Sequence, residues 1–267
     1  MPSVSAVPPS TPPSRDSVVA ALRAAGCVFA EDEAELILAT ARTPAEAAAM
    51  AERRAAGLPL ELVVGWAEFR GLRIAVAPGV FVPRRRTEFL VEQALQRAHG
   101  TTVVVDLCCG SGAVGAALAA ALGRVELHAA DIDPAAVRCA RGNIAAAGGH
   151  VHQGDLFEAL PAALRGRVGI LAANVPYVPS DEIGLLPQEA RDHEPLVALD
   201  GGTDGLDVLR RVAAGASSWL APGGCVLVET SRHQAPAAVE AFERNGLTTE
   251  LAVSQEWYAH VVIGVRP

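Results

Sequence analysis

From residue 101 onward, short apolar runs alternate with stretches of helical spacing. That alternation restricts the fold more than any other feature of the chain. Strands are expected at 103–107, 125–130, 150–153, 168–173, 225–229, 247–253 and 260–265. Helices are expected between most of them, at 112–122, 134–147, 205–220 and 236–245. Strand-helix alternation at this spacing implies an α/β fold, a parallel sheet with helices on both faces. The last two strands have only a short connection, so they should run antiparallel.

The chain ahead of residue 101 reads differently. Residues 1–14 are dominated by Pro and Ser and are expected to form a disordered tail. Residues 15–59 carry three short helical patterns, the last opened by Thr43-Pro44-Ala45-Glu46, a capping box with Pro at the first helical position. Residues 60–85 form a connector in which Trp66, Phe69, Leu72, Ile74 and Val76 are spaced around Gly71 like a hairpin. A helix over 87–98 then opens the larger domain, residues 86–267.

Composition removes several functions. All 22 basic residues are Arg, which excludes a lysine Schiff base and a P-loop with its usual phosphate lysine. A net charge of −8 opposes nucleic-acid binding outside a local patch. No apolar run approaches the ~20 residues of a membrane span, and the N-terminus lacks a secretion pattern. The cytoplasm is the expected compartment. The five cysteines are scattered, and the adjacent pair Cys108-Cys109 has the wrong spacing for a zinc half-site, so no metal is expected.

Asp106-Leu107-Cys108-Cys109-Gly110-Ser111-Gly112 follows an expected strand and opens a helix. Glycines there let the backbone approach a ligand, and the helix N-terminus offers free N–H groups. Gly110, Gly112 and Gly115 also satisfy G-x-G-x-x-G, which keeps a dinucleotide reading open. Asp106, ahead of the glycines, disfavours a pyrophosphate and suits a cation such as the amino group of a methionine moiety. Asp131, ending the next strand, is placed to accept from ribose hydroxyls. Asp133 precedes Pro134 and is expected to cap a helix. Asp155, followed by Leu156, is placed to hold an adenine amino group or to occupy a surface turn.

Asn174-Val175-Pro176-Tyr177 follows the fourth strand. A planar amide or amine nitrogen has a delocalised lone pair and is a poor nucleophile. Two acceptors on its N–H groups aim that lone pair and favour the positive charge of the transition state. The Asn174 side-chain oxygen and the Val175 carbonyl can be those acceptors. Pro176 fixes the backbone, and Tyr177 can wall the planar group. The alternative is an ordinary turn after a strand.

With these residues in view, the chain resembles the protein-(glutamine-N5) methyltransferases, which modify peptide chain release factors. Pro83-Arg84-Arg85-Arg86-Thr87-Glu88 resembles the family's P-R-P-[DE]-T-E segment, 106–112 its D-L-G-T-G-S-G loop, and 174–177 its N-P-P-Y. Glu194-Pro195, Ala198-Leu199, Gly201-Gly202 and Asp204-Gly205-Leu206 resemble its E-P-x-x-A-L-x-G-G-x-D-G stretch. The resemblance implies a class I, Rossmann-like, seven-stranded sheet with an antiparallel last strand and a small helical N-terminal domain. It also implies S-adenosyl-L-methionine as donor, and as acceptor a glutamine in a protein or peptide such as a release factor. Asp106, Cys108, Cys109, Gly110, Ser111, Gly112, Asp131, Asp155, Leu156 and Asn174 would hold the cofactor; Asn174, Val175, Pro176 and Tyr177 would act on the acceptor. Val175 stands where the family has Pro, Arg85 and Arg86 where it has Pro and an acid, and Cys108-Cys109 where it has Gly-Thr.

Residues 180–207 hold eight acids against Arg191 alone, read as a solvated loop or as a lid that meets a basic substrate. Within it His193 stands next to Glu194, but the reaction needs no acid-base pair. Arg84, Arg85 and Arg86 are either solvated or face an acidic partner. Three other functions compete: an adenine N6-methyltransferase of nucleic acid, some of which carry N-[LI]-P-Y; a nicotinamide-dependent oxidoreductase; and an inactive cofactor-binding scaffold.

Overall fold

A computed structural model describes residues 13–98, 100 and 103–267. Of the expected tail, residues 1–12 lie outside the described residues. The chain divides into two compact units, Met1–Gly65 and Trp66–Pro267.

The first unit contains α1 (Arg15–Ala24), α2 (Ala30–Thr40), α3 (Pro44–Ala55) and α4 (Leu60–Val64). Each of the first three presents one apolar stripe: Val18, Val19 and Leu22; Ala34 and Ile37; Ala47, Met50 and Ala51. The capping box is half realised. Thr43 Oγ1 accepts from the Glu46 N–H at 3.1 Å, but Glu46 reaches past the cap to the Arg42 N–H at 2.9 Å. Within the unit, Arg54 meets the largely buried Glu33 carboxylate through Nε and Nη2, at 2.6 and 3.2 Å.

The second unit opens with the hairpin β1 (Trp66–Phe69) and β2 (Leu72–Ala75), whose turn residues Arg70 and Gly71 both have positive φ (48° and 74°). That pair of conformations matches the strands' right-handed twist. After a 3-10 turn (Arg85–Thr87) and α5 (Glu88–Gln96), the alternation begins. It runs β3 (Val103–Leu107), α6 (Ala113–Leu122), β4 (Glu126–Asp131), α7 (Pro134–Ile144), β5 (His150–Gln153) and β6 (Val168–Ala173). It continues through α8 (Gln188–His193), α9 (Asp207–Trp219), β7 (Leu220–Thr230), α10 (Ala235–Arg244), β8 (Thr248–Ser254) and β9 (Ala259–Val265).

The seven strands form one sheet in the order β5-β4-β3-β6-β7-β9-β8. All neighbours pair in parallel except β9, which is antiparallel to both β7 and β8. Each sheet face carries its own core. Val104, Ile170, Ala172, Cys225 and Leu227 pack with Leu90, Val91 and Leu118 on one face. Val105, Leu171, Val226 and Val228 pack with Leu209, Val212 and Phe242 on the other. Strand order reverses between β3 and β6, and such a switch point opens a crevice at the strands' carboxyl ends.

Candidate active site

The sequence-selected residues converge at that crevice. Asp106 is the last residue but one of β3, Asp131 closes β4, Asp155 and Leu156 follow β5, and Asn174 follows β6. The glycine loop lies between β3 and α6. Gly112 has φ +78°, and a Cβ there would lie 3.1 Å from Ala140 Cβ, so a side chain would strain the backbone and press on α7. Cys108 (φ 54°) and Leu156 (φ 47°) are non-glycine residues in the left-handed region, and both flank the crevice. Such conformations persist where the surroundings over-determine them.

Asp106 is 1% exposed, and its Oδ2 accepts the Gly115 N–H at 2.8 Å. Burial, with the nearby Asp131 charge adding to it, pushes its carboxyl up to about 8 despite that bond. This geometry weakens the dinucleotide reading: the first turn of α6 points an N–H at a carboxylate of the chain itself, where a pyrophosphate would need it. Asp131 is engaged at both oxygens, by the Gly110 N–H at 2.8 Å and the Asp133 N–H at 2.9 Å. Each oxygen retains a second lone pair for a hydroxyl. Burial raises its carboxyl too. Asp133 caps α7 through the Ala135 N–H at 2.7 Å. Asp155 is paired with Arg211 at 2.7 Å. Among the described residues no disulfide forms, and burial pushes the Cys108 and Cys109 thiols up, which makes them poor nucleophiles. Ser111 is buried; its carbonyl accepts from Asn143 Nδ2, which also bonds the Ala75 carbonyl and so ties the loop to the hairpin.

At the other side of the crevice, Asn174 Oδ1 is buried and has no hydrogen-bond partner. Among the described residues, no backbone N–H donates to the Val175 carbonyl. Val175 itself is buried at 2% exposure, so its side chain is packing and its carbonyl is the group left to act. Tyr177 is held at both ends. Its carbonyl accepts Gln234 Nε2 at 2.8 Å, and its phenol donates to Glu229 Oε1 at 3.3 Å and accepts from Arg86 Nη2. Burial and the Glu229 charge raise the phenol, so it stays protonated.

Sequence reasoning missed Glu229 and Gln234. Gln234 Nε2 also donates to the Asp204 carbonyl at 2.9 Å, and Gly205 lets it approach: a Cβ there would lie 2.2 Å from that nitrogen. The glycine at 205 was therefore the available signal. The arginine run divides. Arg84 pairs with the buried Glu194 at 2.6 Å, Arg86 pairs with the buried Glu229 at 2.9 Å, and Arg85 is exposed. Two segments far apart in sequence thus meet through one ion pair, and Glu194 is committed to structure. In the acidic segment, Asp204 and Asp207 pair with Arg210, and Asp200 accepts from Ser180 at 2.7 Å.

Comparison with known proteins matches residues 71–177 to the methyltransferase small domain. The release factor glutamine methyltransferase of Geobacter sulfurreducens is 38% identical over 196 residues, 73% of this chain and 68% of that one. The chain belongs to the release factor glutamine methyltransferase family. A 4-amino-L-phenylalanine/4-methylamino-L-phenylalanine methyltransferase of Streptomyces pristinaespiralis is 37% identical over 203 residues, 73% of this chain and 68% of that one. The solved 16S rRNA N2 G1207 methyltransferase of T. thermophilus has the same fold, with a TM-score of 0.55 at 21% identity over 76% of this chain and 50% of that one. The seven-stranded class I architecture is thereby established, and the chain is an S-adenosylmethionine-dependent methyltransferase. The residues present fit that cofactor: a loop whose Gly110 and Gly112 take positive φ (54° and 78°), a buried carboxyl for a cation, and an acid at the end of β4. No helix among the described residues is long and apolar enough to cross a membrane.

Proposed function

We propose that this chain, in the cytoplasm, methylates the side-chain amide nitrogen (N5) of a glutamine in a protein, with a peptide chain release factor as acceptor. The observation that carries the reading is the buried, unpartnered Asn174 Oδ1 beside the switch point. An orphaned buried acceptor costs about 1–3 kcal/mol, a cost that an incoming N–H would relieve.

Asp106 would hold the cofactor's ammonium and Asp131 its ribose; Cys108, Cys109, Gly110, Ser111 and Gly112 would shape the loop around it, and Asp155 and Leu156 would border its base. When bound, S-adenosylmethionine supplies an electrophilic methyl group. Asn174 Oδ1 and the Val175 carbonyl accept the two amide N–H groups, aim the nitrogen lone pair and favour its developing positive charge. Pro176 stiffens the turn. Tyr177, fixed by Glu229, Arg86 and Gln234, walls the amide plane. The test is incubation with labelled S-adenosylmethionine and a release factor, followed by peptide mass spectrometry. A 14 Da increment on glutamine is expected; label confined to nucleic acid would refute the reading.

A second acceptor class is favoured by one observation. The S. pristinaespiralis relative is named for an aromatic amine, whose nitrogen lone pair is delocalised like that of an amide. Methylation of 4-amino-L-phenylalanine, with no transfer to protein, would select it.

A further inference from the structure

Glu229 nearly closes β7 and is 2% exposed. Ala173 pairs with Val228 in parallel register, so the next residues, Asn174 and Glu229, stand side by side at the carboxyl ends of neighbouring strands. Alternation places both on the sheet face of Ala172 and Leu227, the face that α5 and α6 cover. The carboxyl group is divided in use. Oε1 takes Arg86 Nε at 2.9 Å and the Tyr177 phenol at 3.3 Å. Oε2 is buried and has no hydrogen-bond partner. Asn174 Oδ1 and Glu229 Oε2 are thus two buried, unpartnered acceptors on neighbouring strand ends, and an N–H group would satisfy them.

This arrangement bears on a chemical problem. The side chains of glutamine and glutamate are nearly isosteric, and Asn174 cannot separate them. Its amide has an acceptor oxygen and a donor NH2 at the same end, and can turn either toward the ligand. A carboxylate can only accept. We propose that Glu229 is a specificity-determining residue: Oε2 shares, with Asn174 Oδ1, the N–H edge of the acceptor group and repels a carboxylate in its place. The site therefore selects a nitrogen-bearing side chain over its isostere. Arg86 moderates the repulsion by neutralising the Oε1 side. The inference rests on the glutamine reading above.

The test uses the full chain saturated with S-adenosylhomocysteine and two peptides from a release-factor acceptor loop, one with the glutamine and one with glutamate there. Calorimetry reads binding without turnover. The wild type is expected to prefer the glutamine peptide by on the order of 100-fold, since a like-charge contact in a desolvated site costs several kcal/mol. Glu229→Gln, which can turn an NH2 toward a carboxylate, is expected to narrow the preference by about tenfold or more. Arg86→Met is expected to widen it. Opposite shifts distinguish selection from a role limited to anchoring Tyr177, which would move both variants the same way. If Glu229→Gln does not fold, Arg86→Met carries the test by itself. An unchanged preference in the folded variants overturns the inference and leaves the glutamine reading standing. A wild type that does not bind the glutamine peptide overturns both.

Discussion

Cofactor binding should expel a proton from Asp106. In the free protein this carboxyl is buried at the end of β3 and held up to about 8. At pH 7 about nine in ten copies therefore carry the proton. If the cofactor's ammonium docks against it, the charged form gains a partner and the group falls toward its ordinary range. The release is then about 0.9 proton at pH 7 and about 0.5 at pH 8. S-adenosylhomocysteine retains the ammonium, so titration calorimetry with that ligand in buffers of different ionisation heat gives the proton count as a slope. Asp106→Asn should remove this ~0.9 proton from the slope at pH 7, leaving only what Asp131 contributes. Linkage fixes the sign of a companion effect. Folded Asp106 binds a proton that the unfolded chain has released above pH ~4, so it makes cofactor-free stability fall as pH rises from about 4 to 8. A wild-type slope of zero at pH 7 would refute the assignment of Asp106 to the ammonium.

Three further outcomes are expected. Asn174→Ala should reduce methyl transfer by about 100- to 1,000-fold while S-adenosylhomocysteine binding, followed by calorimetry, stays within a factor of a few. Gly112→Ala combines a left-handed backbone with a Cβ 3.1 Å from Ala140; urea unfolding should show a loss of about 2–4 kcal/mol. Glu33→Ala removes the carboxylate that meets Arg54 inside the helical unit, and a loss of about 3 kcal/mol is expected in the same assay.

The centre of the sheet was legible because β3, β6 and the second half of β7 are apolar runs buried on both faces, a pattern the edge strands β5 and β8 lack. Asp106, Asp131 and Asn174 were legible for a related reason: each sits where such a run ends, and the carboxyl ends of parallel strands line the crevice. The segment between β6 and α9 was harder to read. Its order comes from α8, 3-10 turns and the Glu194–Arg84 pair, none of which leaves a periodic signature. The roles of Glu229 and Arg86 were hidden because their partners are distant in sequence; Tyr177 and Glu229 are 52 residues apart. Only the pairing of β6 with β7 brings them together. Arg86 illustrates the limit well, since an exposed basic run and an arginine clamped over Tyr177 look alike in one dimension.

The position of β9 has a consequence for biosynthesis. It is made after both of its neighbours, yet it lies between them. While the ribosome has delivered β7, α10 and β8 but not yet β9, two unsatisfied ladders face an empty slot one strand wide. Any competing extended segment could zip into that slot, and a nascent chain must keep it open until its own final strand arrives.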